Sequence, residues 1–485
     1  MLYLRAEPST IFLSGATMKS VLRSNPVLTF AALMSFSAFA NASLSDLQNR
    51  NTSDFLMTTA PTGCQPKGLR SDRDGRYAYV AEMCGKKING ARVATVSIYN
   101  LKTMKLEKTI VTPSGAQRGV IGNAEVTFTL DDNYILASRV EGDKQSAIFP
   151  GYGMVTAIDA RSQEIKEFIP VNGTGTKIIE TRPMVTGDKR EIVYVANYFS
   201  DDISVLDVSN MQDDLTTNGT KHFLTKIRLH SAFVPATAHG ATQIGPRGIA
   251  FTPDGHYGIV DNSTTGSLFI VDAVNHRQIA ELGPIPEDLG SVPLRQQQGG
   301  KAKNMNVRHI VLTKDGKTAY LSHMRGDAIS RINVDLLIST AVKAKAQGQT
   351  VLPSETWKEL LIPFANGKSV VKVPHYPADH PNFPNKDWDL VRPNTIVLDP
   401  ISNRYLYISC RTDTNENYNV YSENTHGKVD VLDTQTGEVI FSLVGGSQPT
   451  ALEVTPDNTM LISGGFKDSK LYFFDIKKLL DLYER

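Results

Sequence analysis

The strongest constraint on this chain is a unit that recurs seven times. Each copy has an apolar strand pattern, an Asp-Gly type turn, a second apolar strand, a polar loop, and a third strand ending in Asp or Asn. The turns are marked by Asp74, Asp132, Asp188, Asp254, Asp315, Asp399 and Asp457. They are spaced by about 56 to 66 residues, with one gap of about 84. The third strands end at Asn100, Asp159, Asp207, Asp272, Asn333, Asp433 and Asp475. In the clearest copy, PRGIAFTPDGHYGIVDNSTTGSLFIVDAVNHRQIAEL from Pro246 to Leu282, short Ile-, Val-, Phe- and Tyr-rich runs alternate with Gly, Asp, Asn and Ser, which is sheet chemistry. Each unit has room for four strands. Four-stranded sheets repeated around an axis are propeller blades, and closing the ring hides most strand edges. The expected fold is all-β: a seven-bladed beta-propeller of four-stranded blades, forming one domain over residues 43–485. An open solenoid is the alternative, but its units are usually shorter.

The segments VYVANYFSDDISVLDV (Val193 to Val208) and PRGIAFTPDGHYGIVDNSTTGSLFIVDA resemble the repeats of the YVTN family of beta-propellers. Weaker copies include TAYLSHMRGDAISRINVD and TMLISGGFKDSKLYFFDI, and the resemblance covers nearly all of residues 60–480. It implies the fold. It implies little about function, because similar propellers serve as enzymes, redox partners and binding platforms.

The last unit, Gln448 to Asp475, lacks an outer strand, which the stretch Asp54 to Thr59 can supply. The two chain ends would then close the ring. Upstream, Met18, Lys19 and Arg23 precede an apolar run from Pro26 through Phe39 that ends in Ala40-Asn41-Ala42, the order of a signal peptide. The expectation is a leader within residues 1–42, following an upstream start extension, and a mature chain without a membrane span in the periplasm or secreted. Lys plus Arg at 51 against Asp plus Glu at 50 gives a formal charge of +1, which excludes a general nucleic-acid binder.

Three cysteines in an exported chain fit one disulfide and one spare thiol. A three-residue loop Arg73-Asp74-Gly75 sets Cys64 opposite Cys84, whereas a two-residue loop sets it opposite Gly85. A Cys64–Cys84 bridge and two free buried thiols therefore both stand, with Cys410 left over as a small core residue.

The residues opening each innermost strand should face the channel mouth: Lys67, Glu125, Arg182, Arg247, Arg308 with His309, and Arg392. At the ends of the second strands come Glu82, Arg139, Asn197, Asp261, His323 and Arg411. An Arg-rich ring can grip a carboxylate, sulfate or phosphate through its fork of donors. In similar propellers a proline-flanked Arg recurs here, and pairing it with an acid of the next blade is the structural alternative. Long loops on the same face, Arg139 to Gly153, His375 to Leu390 and Arg411 to Gly427, are further candidates for contact.

No CxxCH, Walker loop, HExxH or GxSxG occurs. The expectation is an exported binding module for a small anionic molecule or an acidic protein partner, with no cofactor. The alternative is a lactonase-like hydrolase or lyase, or a metal-dependent oxidoreductase. It would use His309 and His323 as ligands for copper or zinc or in proton transfer, Glu82 or Glu125 as base, and Arg308 for developing negative charge.

Overall fold

The computed structural model describes residues 47, 50–88, 91–112, 122–140, 153–211, 219–234, 244–290, 306–374, 391–411 and 427–485. It divides into a unit spanning Asn51–Lys478 and a second comprising Met1–Arg50 with Leu479–Arg485. The larger unit consists of seven sheets of four antiparallel strands arranged as a seven-bladed propeller, and in blade 4 a fifth strand, Val351–Leu352, adds parallel to Arg277–Leu282. Their innermost strands are Pro66–Ser71, Gly122–Phe128, Thr176–Thr181, Pro246–Phe251, Val307–Leu312, Pro393–Leu398 and Pro449–Val454, for blades 1 to 7. The predicted leader and most of the three long loops lie outside the described residues.

The repeated aspartates now have a physical role. Every third strand ends on the predicted residue, and each of these side chains accepts a backbone N–H two or three residues on: Asn100 from Thr103, Asp159 from Ser162, Asp207 from Ser209, Asp272 from Asn275, Asn333 from Leu336, Asp433 from Gln435 and Asp475 from Lys478. These are Asx turns that end the strand and start the next reversal. In the first hairpins Asp254, Asp315 and Asp457 each accept from a Thr hydroxyl two residues earlier and an N–H two residues later. Blade 2 uses Asp131 for this, while Asp132 takes the left-handed place, φ 57°, that Gly255 fills in blade 4.

Apolar residues from facing blades form the core, as between blades 3 and 4, where Val205, Ile249, Phe251 and Phe269 pack together. Leu56–Pro61 pairs antiparallel with Lys470–Asp475 and completes blade 7, so the ring closes through the N-terminal strand as expected. Blade 5 takes its outer strand, Val370–Lys372, after an excursion that contains the helix Val334–Ala346. That helix buries Val334, Leu337, Ala341 and Ala344 in the core shared by blades 4 and 5 and leaves Val342 exposed. Among the described residues no helix is long and apolar enough to cross a membrane.

Two one-residue differences cancel around the cysteines. Asp72 pairs with Tyr77 and Ser71 with Ala78, so the hairpin loop is one residue longer than expected. A bulge at Lys67 then returns the register to Pro66 opposite Glu82, the pairing that carries on to Cys64 opposite Cys84. Cys64 is disulfide-bonded and Cys410 is a buried free thiol; the side chain of Cys84 is outside the described residues.

Candidate functional site: a cation-lined channel

All seven innermost strands carry a register shift near the same place, just after the residue paired with the end of the second strand. An extra residue of this kind leaves the ladder and turns its side chain. In blade order the positions are Lys67, Ala124, Lys177, Arg247, Arg308, Asn394 and Thr450. The freed amides are held locally: Asp261 accepts from Arg247 and Gly248 at 2.7 and 2.8 Å, Ser138 from Glu125 at 3.1 Å, and Ser409 from Thr395 at 3.0 Å.

Four of these seven positions are cationic, and Arg411, just past the second strand of blade 6, joins them. Burial lowers the pKa of Lys67 well below its ordinary value, with Arg247, Arg411 and Arg308 adding repulsion that Glu125 only partly offsets. Burial and the same arginines bring Lys177 down to about 7. Burial and Arg308 bring Arg247 down to about 9. Among the described residues the side chains of Lys67, Lys177 and Arg247 have no hydrogen-bond acceptor or ion-pair partner; Lys177 lies 5.9 Å from the ring centre of Tyr198. Arg308 reaches Asn394 Oδ1 at 3.4 Å, and Arg411 reaches Gln448 Oε1 at 3.3 Å.

Glu125 stands one residue deeper than the ring, in register with Gly68 and His309. A Cβ on Gly68 would come 2.5 Å from Glu125 Cα, so glycine there admits the neighbouring strand. Burial raises the pKa of Glu125, against the pull of Lys67, Arg70 and Arg247. Burial, with Arg70 and Lys67 nearby, keeps His309 neutral at a pKa of about 3. Asp261 is also buried and raised to about 7.

Other candidates stand elsewhere. Arg182 lies past the far end of its strand, where it is buried, pairs with Asp188 at 2.9 Å and donates to the Ala273 carbonyl at 2.8 Å. Lys177 holds the ring position in blade 3. Arg392 precedes the blade 6 strand with φ 52° and its N–H on Asp327 at 2.7 Å, and Asn394 holds that ring position. The ends of the second strands are buried within the blades. Glu82 accepts from the Thr95 hydroxyl, from Ser97 at 2.5 Å and from the Gly63 N–H at 2.7 Å. Asn197 donates to Asp202 and Ser204, both at 2.8 Å, His323 Nε2 meets Ser330 Oγ at 2.7 Å, and Arg139 is 2% exposed. His323 and His309 therefore work in different surroundings, and no group of three His, Cys, Asp or Glu side chains set to hold a metal occurs among the described residues.

Sequence reasoning missed Lys177 and a deeper set, Arg70, Glu180 and Glu453, three residues beyond the ring in blades 1, 3 and 7. Arg70 bridges Glu180 and Glu453, each at 3.5 Å. Burial works against the Arg70 charge, but the carboxylates outweigh it and raise its pKa. Their signal in the sequence was positional: ring residues lie two before the strand's central apolar residue (Leu69, Ile179, Ile249, Ile310) and the deeper set one after it.

No family model matches the chain. It is 23% identical over 440 residues to Antigen Lp49 of Leptospira interrogans serogroup Icterohaemorrhagiae serovar copenhageni (strain Fiocruz L1-130), across 89% of this chain and 72% of that protein. Among solved structures it is similar to the beta-propeller domain of Cps50 (Swd1) from Myceliophteria thermophila, with a TM-score of 0.50 and 12% identity over 87% of this chain and 99% of that one. At that identity the likeness establishes the propeller fold alone.

Proposed function

We propose that this chain is an exported propeller of the YVTN-repeat kind that acts as a binding module, holding an anionic ligand or an acidic segment of a partner at the cationic mouth of its channel. One observation carries the reading: the side chains of Lys67, Lys177 and Arg247 converge there without an ion pair or hydrogen bond among the described residues, and Glu125 of the next blade attracts Lys67 without outweighing the arginines. A bound phosphate or carboxylate favours the protonated forms of Lys67 and Lys177, whose pKa burial and mutual repulsion lower, and in a recess those charges act on it more strongly than in open water. Export draws support from the leader-like order of residues 18–42, from the disulfide at Cys64 and from a relative named as an antigen.

The test is calorimetric titration with inorganic phosphate, sulfate and citrate at low ionic strength, on the wild type and on the triple variant Lys177→Gln, Arg247→Gln, Arg308→Gln. The expected result is saturable binding by the wild type that weakens at least about tenfold in the variant, with cooperative unfolding retained. Equal binding by the folded variant, or none by the wild type, overturns the reading.

A further inference from the structure

The cations of the mouth come from opposite sides of the opening. Innermost strands of successive blades pack in ring order, so blade 1, which carries Lys67, stands across from blades 4 and 5, which carry Arg247 and Arg308. The opening is still narrow enough for these groups to act on one another: Arg247, Arg411 and Arg308 all repel Lys67, and the same three repel Lys177 of blade 3. Lys67 and Arg247 are 8% and 6% exposed, yet no nitrogen of either side chain is among the described polar atoms that lack a partner and are out of water's reach. Five cationic side chains meet the carboxyl groups of Glu125 and Asp261 there, an excess of three.

The other polar groups of the ring are engaged. Asp261, Ser138 and Ser409 hold bulge amides, Asn394 Oδ1 accepts from Arg308 at 3.4 Å, and the Thr450 hydroxyl donates to the Pro66 carbonyl at 3.0 Å. What the ring leaves open is ammonium and guanidinium donors. These match carboxylate or phosphate oxygens, whereas an entering peptide would have to bury its own N–H groups against them.

We propose, resting on the reading of the mouth as an anion site, that its ligand is a small polyanion with three acid groups on one compact body, bridging cations of opposite blades. One acid group reaches one side of the opening, two leave a charge behind, and three match the excess. Burial and repulsion bring Lys177 down to about 7, and an anion beside it favours its charged form, so at pH 8 binding draws a proton from the buffer.

The experiment uses the whole protein and three acids on one propane skeleton: butyrate, glutarate and tricarballylate, with one, two and three carboxylates. Hexaglutamate stands for an acidic protein segment, and all titrations share pH 7 and one ionic strength. Tricarballylate should bind at least about tenfold tighter than glutarate, and tighter than hexaglutamate. Lys67→Gln in blade 1 and Arg308→Gln in blade 5 should each weaken tricarballylate about tenfold; if either fails to fold, the wild-type comparison decides. At pH 8, calorimetry in Tris and in triethanolamine should show proton uptake with tricarballylate that shrinks in Lys177→Gln. Equal affinity for glutarate and tricarballylate, tighter binding of hexaglutamate, a loss in only one of the two folded single variants, or binding without proton uptake overturns the proposal. When phosphate or sulfate still binds saturably, such a result leaves the anion site standing; when no anion binds, both fall.

Discussion

Two rings of polar side chains circle this propeller and look alike in the sequence, yet their chemistry is opposite. At the ends of the second strands, Glu82, Asn197 and His323 are wholly buried and bonded to hydroxyls or a carboxylate of their own blade. At the bulges of the innermost strands, Lys67, Lys177 and Arg247 stand among like charges without such partners. The first ring holds blades together by satisfying polar groups that burial would otherwise penalise. The second is maintained against its own repulsion, which costs stability unless something outside the chain neutralises it.

The largest effect should come from the bonded ring. Glu82→Ala strands the Thr95 and Ser97 hydroxyls and the Gly63 N–H, and should lower unfolding stability by about 3 kcal/mol in a urea titration. A loss near zero would erase the distinction between the rings.

A smaller effect of opposite sign is expected from Lys177→Gln. Lys177 titrates at about 7 in the folded chain against 10.5 for the free side chain, so between these values the unfolded chain holds a proton that the folded chain has released. Wild-type stability should therefore rise as pH climbs from 7 toward 10.5, and below 7 the penalty is present in full. The variant should be more stable than wild type at pH 6 and show a flatter rise toward pH 9, read from urea midpoints. A variant less stable at pH 6 would return Lys177 to the structural ring.

The smallest effect belongs to Asp261, which bridges the two classes because it staples a bulge while lying beside the cations. Asn can keep both N–H bonds through Oδ1, so Asp261→Asn should change stability at pH 4, where the carboxyl is protonated, by no more than about 1 kcal/mol. The folded carboxyl, raised to about 7 from 3.8, loses stability as pH rises through that window. The variant should gain on wild type between pH 4 and pH 7 in paired denaturation curves, and a constant difference would show that Asp261 is not held near neutrality.

The propeller was legible because its turn chemistry is local. An Asx turn needs one side chain and two or three following residues, so all seven strand ends could be read in sequence. Two offsets, Asp131 for Asp132 and Asp72 for Asp74, arose where a second aspartate stands close by. The mouth was less legible because a bulge is a difference in count between two strands, and no residue type marks it. Arg182, next to Pro183, has the right local look but lies six residues past the start of its strand, whereas Lys177 lies one past it. The expected register agrees with the observed pairing of Pro66 with Glu82 only because the longer loop and the bulge offset each other. Lys67, Arg247, Arg308 and Arg411 stood out by their polarity at repeated positions; Arg70, Glu180 and Glu453 did not, because their partners lie in other blades.

The recurring bulge also bears on how such a molecule can change. A residue lifted out of the ladder contributes little to strand pairing, and its freed amide is held by a neighbour that does not depend on the identity of its side chain. Seven such sockets surround one opening, filled here by two lysines, two arginines, an asparagine, a threonine and an alanine. Their contents can be exchanged one at a time while the scaffold stays as it is, so descendants of one ring can acquire different cargo by rewriting a handful of letters.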